Sequence, residues 1–421
     1  MYRHTVNEIR CSKTDDLKDM NIALCVTASV AVYKALDLAR ELIKRGANVR
    51  FVATPKTLKF ISPTLMQWAS GNKPIVKGTG EVEHIAIAGK DGWAHALIVA
   101  PATANTLCKL ASGISDNVVM DVLTTALGSG KPIIVAPAMH ASMYMAPTVK
   151  QCLDKLRGLG VTIIEPDVED GRLKMAAIED IADLVEDVLN PIEGLRGLKV
   201  LVTAGPTREH LDPIRFITNA SSGRMGFSLA SVCANNGAYV YLISGPTHLK
   251  PPRGVNFKSV TSTEEMLNAC LEIAEGEKPK IIVLAAAPAD FSFKEVSTDK
   301  VSSNAHLNVT LKPTPKIYLA LRERLPEAIM VGFKAEYGVS VEELLERARR
   351  RMKEGNLDII LANDVSRPDV GFGSEHNEGY LITSDEELKV GRVSKRRMAR
   401  LIMKKAIEIL KKRAHKQSSY V

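Results

Sequence analysis

The run Asn21-Ile22-Ala23-Leu24-Cys25-Val26 is apolar at every position but the first, without the in-out alternation of a strand that has one face in water. Such a strand is buried on both faces and requires helices above and below a parallel sheet. The chain supplies them. Ala35, Leu36, Leu38, Ala39, Leu42 and Ile43 recur at helical spacing, Gly46 ends that helix, and Val49-Arg50-Phe51-Val52-Ala53 reads as the next strand. The unit closes by a right-handed crossover. Residues 96–100 and 131–136 repeat the pattern, each running into a polar loop that contains proline.

The pattern stops and starts again. Residues 181–189 form an amphipathic helix, and Asn190-Pro191-Ile192-Glu193-Gly194-Leu195-Arg196-Gly197 breaks the periodicity with one proline and two glycines. Beyond it, residues 198–202 read as a new strand, and Gly237-Ala238-Tyr239-Val240-Tyr241-Leu242-Ile243 echoes the segment after Gly46. At 421 residues the chain exceeds one ordinary core, and length alone allows roughly two to three domains. The expected organisation is two nucleotide-binding α/β domains in series, residues 1–190 and 191–421, each a doubly wound parallel sheet.

Composition narrows the function classes. With 45% apolar and 25% charged residues the chain is globular. The net charge of +8 suits anionic small molecules, while scattered basic residues and only 5% aromatics argue against nucleic acid. The six cysteines show no C-x-x-C pair or metal-ligand spacing and read as reduced, mostly buried thiols. No apolar run reaches the ~20 residues of a membrane span, and residues 1–19, a loose arm or short helix, hold no apolar signal core. A cytoplasmic protein with no membrane partner is expected.

Residues 203–226 carry the chemistry of the second half. This stretch lies between a strand and a helical segment, and holds glycines, hydroxyls, Asn219 and the three arginines Arg208, Arg215 and Arg224. These groups suit an anion held where the first backbone N–H groups of a helix have no partner. An ordinary loop whose arginines face water is the alternative. In the first half the ligand loops of a doubly wound sheet are residues 27–34, 54–60, 101–107 and 137–145. They contain no G-x-G-x-x-G, so a mononucleotide phosphate on Ser29, Thr54 or Thr57 is expected rather than a dinucleotide. Hydroxyls that only cap helices are the competing account.

Several motifs now bear on family. Ala100-Pro101-Ala102-Thr103-Ala104-Asn105-Thr106, with Ser115-Asp116-Asn117 behind it, resembles the flavin-binding loops of the homo-oligomeric flavin-containing cysteine decarboxylases. The resemblance implies a flavodoxin-like domain binding flavin mononucleotide (FMN) through Ser29, Thr54, Thr57, Thr103, Asn105, Thr106 and Asn117. His84, in the alternating stretch His84-Ile85-Ala86-Ile87, stands where that family keeps an essential histidine. Pro137-Ala138-Met139-His140-Ala141-Ser142-Met143 resembles its substrate motif Pro-Ala-Met-Asn-x-x-Met, with His140 in place of the asparagine. In that family the flavin oxidises a peptidyl- or pantothenoyl-cysteine thiol, the thioaldehyde drives loss of carbon dioxide, and the hydride returns. The flap, residues 165–175, lacks the cysteine that many relatives use as acid. Asp167 aligns there and would donate a proton if burial raised its pKa. Cys152, the nearest thiol, falls in an expected core helix over residues 148–156.

The second half resembles the phosphopantothenoylcysteine synthetases, and residues 21–413 together resemble the bifunctional coenzyme A biosynthesis family. Besides residues 203–226 the motifs are Ala285-Ala286-Ala287-Pro288-Ala289-Asp290-Phe291, Asp299-Lys300-Val301, Val331-Gly332-Phe333-Lys334-Ala335-Glu336, and residues 356–366. The resemblance implies a Rossmann-like ligase domain that activates 4′-phosphopantothenate with cytidine triphosphate (CTP) and Mg2+. Lys300 would stabilise charge at the α-phosphate, Asn219 would hold the acyl-cytidylate, and Arg215 would position the attack of cysteine. Ser222, Gly223, Ala287, Asp290, Pro315, Lys316, Ile317, Tyr318, Phe333, Arg351 and Lys353 would line the nucleotide site. Ser302-Ser303 replaces a lysine pair of many relatives, a loss for which Lys312, Lys316 or Lys334 would compensate. The basic helix over residues 347–353 is otherwise a solvated face, and the magnesium ligands stay unassigned.

The expected function is thus ligation of 4′-phosphopantothenate with cysteine, then decarboxylation to 4′-phosphopantetheine. The family's assemblies imply a homo-oligomer with trimeric contacts in the flavin half and dimeric ones in the ligase half. An active ligase with a regulatory flavin domain, or one acting on another thiol-carboxylate, is the alternative. A nicotinamide dehydrogenase is disfavoured by the missing glycine fingerprint.

Overall fold

A computed structural model describes residues 4–169, 172–302, 306–367 and 369–418. Asp170 and Gly171 of the flap, and Ser303 of the serine pair, lie outside the described residues. The chain forms two compact units, Met1–Pro191 and Ile192–Val421.

In the first unit β1 (Asn21–Val26), β2 (Asn48–Ala53), β3 (Ala96–Ala102), β4 (Ile133–Pro137) and β5 (Thr162–Ile163) form a parallel sheet in the order β2-β1-β3-β4-β5. This is the flavodoxin-like order, whose switch point lies between β1 and β3. The unbroken apolar run has its physical counterpart. Ile22, Leu24 and Val26 enter the core on one face of the sheet, and Ala23 and Cys25 enter the core on the other. Leu38 and Leu42 of helix Lys34–Lys44 seal the first of these cores, each worth about 1.5–3 kcal/mol when fully buried. Val6 and Leu17 are buried there too, so residues 6–17 are a docked segment with the short helix Val6–Ile9. Arg45 joins two helices, meeting Glu41 at 3.0 Å, Asp183 at 2.6 Å and Glu186 at 3.5 Å. A small antiparallel hairpin, β6 (Asp167–Glu169) with β7 (Arg172–Lys174), forms the flap.

The alternating stretch around His84 is the short helix Glu83–Ala88. Only Ile87 and Ala88 of that helix are buried, so the alternation of small and apolar residues does not mark a sheet face. The thiols are also less uniform than expected: Cys25, Cys233 and Cys270 are buried, Cys108 and Cys152 half-buried, and Cys11 exposed.

The second unit is built on β8 (Lys199–Ala204), with the hairpin β9 (Arg208–His210) and β10 (Phe216–Thr218) leaving its carboxyl end. Then follow β11 (Tyr239–Ser244), β12 (Val255–Ser259), β13 (Ile281–Leu284) and a second hairpin of β14 (Phe291–Phe293) with β15 (Leu311–Pro313). The chain continues through β16 (Ile329–Glu336), β17 (Ile359–Asp364), β18 (His376–Ile382) and β19 (Glu387–Ser394). The sheet order is β12-β11-β8-β13-β16-β17-β18-β19. Its first six strands are parallel and follow the Rossmann order 3-2-1-4-5-6, with the switch point between β8 and β13. β18 and β19 extend the sheet antiparallel. Again β8 is divided between two cores, Val200, Val202 and Ala204 on one face and Leu201 on the other. The C-terminal helix Lys395–Ser418 is more than a solvated tail. It buries Met398, Ile402, Met403 and Ile407, and its Arg413 pairs with Asp358.

Candidate active sites

At the switch point of the second sheet, the segments leaving β8 and β13 run side by side. Ala287 N–H donates to the Gly205 carbonyl at 2.9 Å, and Ala289 N–H to the Thr207 hydroxyl at 2.9 Å. Beyond them opens a cavity of about 460 Å³. Gly223, at φ +79°, turns the chain into helix Arg224–Asn235, whose first residues, Arg224 and Met225, line this space at the end where backbone N–H groups lack intrahelical partners. A Cβ on Gly223 would come 2.8 Å from the Thr247 Cγ2 and close the turn. Asn219 spans the mouth, its amide nitrogen donating to the carbonyls of Ala287 at 3.2 Å and Pro288 at 2.9 Å.

The cavity brings together Asn219, Ser222, Gly223, Ala287, Asp290, Pro315, Lys316, Ile317, Tyr318, Phe333 and Arg351 among the residues singled out by sequence. Arg351 lies over the Tyr318 ring at 3.9 Å and donates to its hydroxyl at 2.6 Å. Two of the three lysines expected to make up for the serine pair are already matched by carboxylates. Lys316 meets Asp290 at 2.7 Å and Lys334 meets Glu336 at 2.9 Å, while Lys312 sits on the exposed edge of β15. Lys353 does not join the cavity; it borders a separate depression with Arg349, Ile382 and Glu387.

Arg215 and Lys300 lie outside the cavity lining, in two loops that a single carboxylate ties together. Asp212, 1% exposed, accepts the N–H groups of Ile214 at 2.8 Å, Arg215 at 2.7 Å and Val301 at 3.1 Å. Burial pushes the Asp212 carboxyl up, but these three donors and the Arg215 charge outweigh it and hold the group below the ordinary carboxylate range. Asp212 was not singled out by sequence. Its signal was an aspartate before proline that folds an Asx turn on itself.

In the first unit the carboxyl ends of β1 and β3 meet through Thr27, whose hydroxyl donates to the Pro101 carbonyl at 2.7 Å and accepts the Thr103 N–H at 3.3 Å. Ser29, Thr103 and Asn117 each cap a helix, accepting N–H groups of Ala31, of Thr106, and of Val119 and Met120. The Thr57 hydroxyl is fully buried and donates to the Val26 carbonyl at 3.1 Å, with Thr54 2.8 Å away. Thr106 is buried against Thr103, and Asn105 is exposed. Capping and ligand binding are compatible here, since a capped helix start still presents further N–H groups to an anion.

His84 is half-buried beside Val82, a β-branched residue held at φ 48°. That strained conformation is one that functional sites tolerate. His140 is exposed, and its Nδ1 accepts the Ser142 N–H at 3.3 Å. A neutral imidazole so engaged carries its proton on Nε2, leaving one outward donor. Asp167 begins the flap hairpin and is half-buried. Cys152 packs in the second core beside Cys108, whose thiol burial and that neighbour push up to about 11.

Residues 10–190 match the Flavoprotein family, and residues 195–410 match the DNA/pantothenate metabolism flavoprotein C-terminal domain. A relative in Thermococcus kodakarensis, Coenzyme A biosynthesis bifunctional protein CoaBC, is 42% identical over 397 residues, spanning 94% of this chain and 97% of its own. The chain belongs to this bifunctional coenzyme A biosynthesis family. A second family member, from Methanocaldococcus jannaschii, is 35% identical over 97% of this chain and 98% of its own. A solved C-terminal domain of a Coenzyme A biosynthesis bifunctional protein CoaBC is 32% identical, covering 52% of this chain and 97% of that one at a TM-score of 0.43.

As a coenzyme A biosynthesis protein, the chain is a bifunctional enzyme with a flavoprotein decarboxylase half and a ligase half. Among the described residues no helix is long and apolar enough to cross a membrane. No group of three or more His, Cys, Asp or Glu side chains converges among them as a metal cage.

Proposed function

We propose that the ligase half joins 4′-phosphopantothenate to cysteine at the cost of CTP, and that the flavin half decarboxylates the product to 4′-phosphopantetheine. The observation that carries the ligase reading is the 460 Å³ cavity at the β8/β13 switch point, into which a glycine-opened helix start, Asn219 and Arg351 converge. The substrate carboxylate attacks the α-phosphate and pyrophosphate leaves. The cysteine amine then attacks the acyl carbon and cytidylate leaves. Each step gathers negative charge, which fixed N–H groups and cations stabilise without reorganising. Lys300 serves the α-phosphate, Asn219 the acyl-cytidylate and Arg215 the second attack, while Ser222, Gly223, Asp290 and Phe333 line the nucleotide. Mg2+ bound with the nucleotide would supply charge neutralisation for the departing pyrophosphate.

In the flavin half, Ser29 follows β1, Thr54 and Thr57 follow β2, and Thr103 follows β3, at the carboxyl ends of three neighbouring strands. The helix-capping hydroxyls of Ser29 and Thr103 suit the phosphate of FMN, with Thr57 tying the Thr54 loop to β1 through the Val26 carbonyl. FMN, when bound, would supply reversible hydride-accepting chemistry beside the substrate thiol. His84 moves a proton at the substrate, and His140 holds the carboxylate through Nε2. Asp167 donates the final proton where relatives use a cysteine. The absence of that cysteine favours, as a second reading, an intact ligase with a flavin domain that is regulatory or serves another thiol-carboxylate.

The protein acts in the cytoplasm as a homo-oligomer. Exposed Tyr33, Phe60 and Trp68 in the first unit, and Ile214, Phe291 and Leu311 in the second, offer apolar surface for trimeric and dimeric contacts respectively. The deciding assay mixes the full chain with 4′-phosphopantothenate, cysteine, Mg2+ and CTP. Pyrophosphate, carbon dioxide and a product of 4′-phosphopantetheine mass are expected. Pyrophosphate without carbon dioxide overturns the decarboxylase and leaves the ligase.

A further inference from the structure

We propose that Lys395 is a phosphate-binding residue of the ligase half, holding the β- and γ-phosphoryl oxygens of the nucleotide until they leave as pyrophosphate. The inference rests on the ligase reading above and adds a residue from outside its motifs.

Lys395 opens helix Lys395–Ser418, yet it is only 6% exposed and lines the 460 Å³ cavity. Its ammonium donates to the carbonyls of Gly371 at 3.2 Å and Phe372 at 3.0 Å. An ammonium has three N–H donors, so one is left for a ligand. The Ser222 hydroxyl donates to the same Phe372 carbonyl. Ser222 and Lys395 are therefore within two hydrogen-bond lengths of each other, which sets the ammonium beside the Gly223 helix start.

Charge balance points the same way. Lys316, Lys334 and Arg347, which also line the cavity, have carboxylates within 2.9 Å. Arg224 faces the cavity with its nearest carboxylate, that of Glu375, 3.7 Å away and well exposed. Among the described residues no carboxylate is bonded to the Lys395 ammonium, which stands at the positive end of a helix dipole, where a cation is disfavoured. A buried ammonium, an arginine and free helix N–H groups together match a tetrahedral polyanion. The place beside Ser222 and Gly223 assigns that polyanion to the nucleotide rather than to the phosphate of the acyl substrate.

Burial, then the like charge of Arg224, outweigh the attraction of Glu375 and bring the Lys395 ammonium down to about 8. Phosphate binding favours the protonated form, so nucleotide affinity falls as pH rises through that value in the free enzyme.

The test is steady-state pyrophosphate release by the full chain carrying Lys395→Met or Lys395→Arg. K395M should raise the KM for CTP by about 10- to 100-fold, the range for losing a charged hydrogen bond. It should also weaken product inhibition by inorganic pyrophosphate and leave the KM for 4′-phosphopantothenate within about twofold. K395R keeps the charge, so it should bind CTP within about fivefold of the unaltered protein and lose the rise in KM between pH 7 and 9. An unchanged CTP KM in K395M, or a rise confined to 4′-phosphopantothenate, overturns the proposal. Should the unaltered protein release no pyrophosphate with any nucleotide, the ligase reading itself fails instead.

Discussion

Val301 donates its backbone N–H to the Oδ2 of Asp212 at 3.1 Å, so the loop that carries Lys300 hangs on the turn that carries Arg215. Asp212→Ala leaves the three N–H groups without their acceptor and frees both loops. Ligase kcat should fall at least about tenfold, since a misplacement near 1 Å costs that much or more, while flavin absorbance stays as in the unaltered protein. Acid should mimic the change. The folded pKa of Asp212 is depressed, so its stabilisation is complete above its unfolded value near ~3.9 and is lost as pH falls through the lower folded value. Acid unfolding curves of Asp212→Asn and the unaltered ligase half should converge at the lowest pH, and curves that stay apart there would count against this role.

Asn219 donates to two carbonyls through one amide nitrogen, and Asn219→Asp would set a carboxylate against both of them and against the phosphates. Activation should proceed with a weaker hold on the acyl-cytidylate. The measurable outcome is uncoupling: more pyrophosphate released than product formed, with a CTP KM raised roughly tenfold. A one-to-one ratio would remove Asn219 from the intermediate.

How much of this was legible in the sequence differs by level. The double-sided burial of β1 and β8 could be read directly, because an unbroken apolar run has few other solutions. The antiparallel β18 and β19 were missed, since their mixed composition carries neither a clean period of two nor a buried run. The cavity residues after β8 and β13 were legible as motifs, yet Lys353 faces elsewhere because neighbouring helical positions point about 100° apart. The Asx turn of Asp212 onto Ile214 and Arg215 had a local signal in the Asp-Pro pair. Its tie to Val301, like the bonds of Lys395 to Gly371 and Phe372, is a long-range bond to backbone that no local pattern encodes.

In the first unit Arg45 holds three carboxylates with a side chain only 6% exposed. Arg45→Met removes the cation that Glu41, Asp183 and Glu186 share, at a cost of about 3–5 kcal/mol for breaking a buried ion-pair cluster. FMN release on heating should shift down by several degrees. The deficit should shrink in acid. Burial pushes the Glu41 carboxyl up, but Lys13 and Arg45 outweigh it and lower the pKa, so the stabilisation is present above ~4.3 and lost as pH falls through the depressed value. An R45M deficit that stays constant from pH 7 to pH 3 would contradict this electrostatic account.

The imidazole of His140 stands where relatives present an amide, and the Ser142 N–H bond to Nδ1 fixes its free donor on Nε2. If that N–H holds the substrate carboxylate, one neutral donor is what the site needs. His140→Asn restores an amide donor at the same helix cap, for which asparagine is well suited, and should keep decarboxylation within about threefold. His140→Ala removes both cap and donor, and should raise the KM for phosphopantothenoylcysteine about tenfold or more, the scale of a lost hydrogen bond to a charged group. Carbon dioxide release as a function of substrate separates the two variants. Equal loss in both would mean that the ring itself, through its charge or its second nitrogen, does the work. Equal retention would place the carboxylate elsewhere in the crevice.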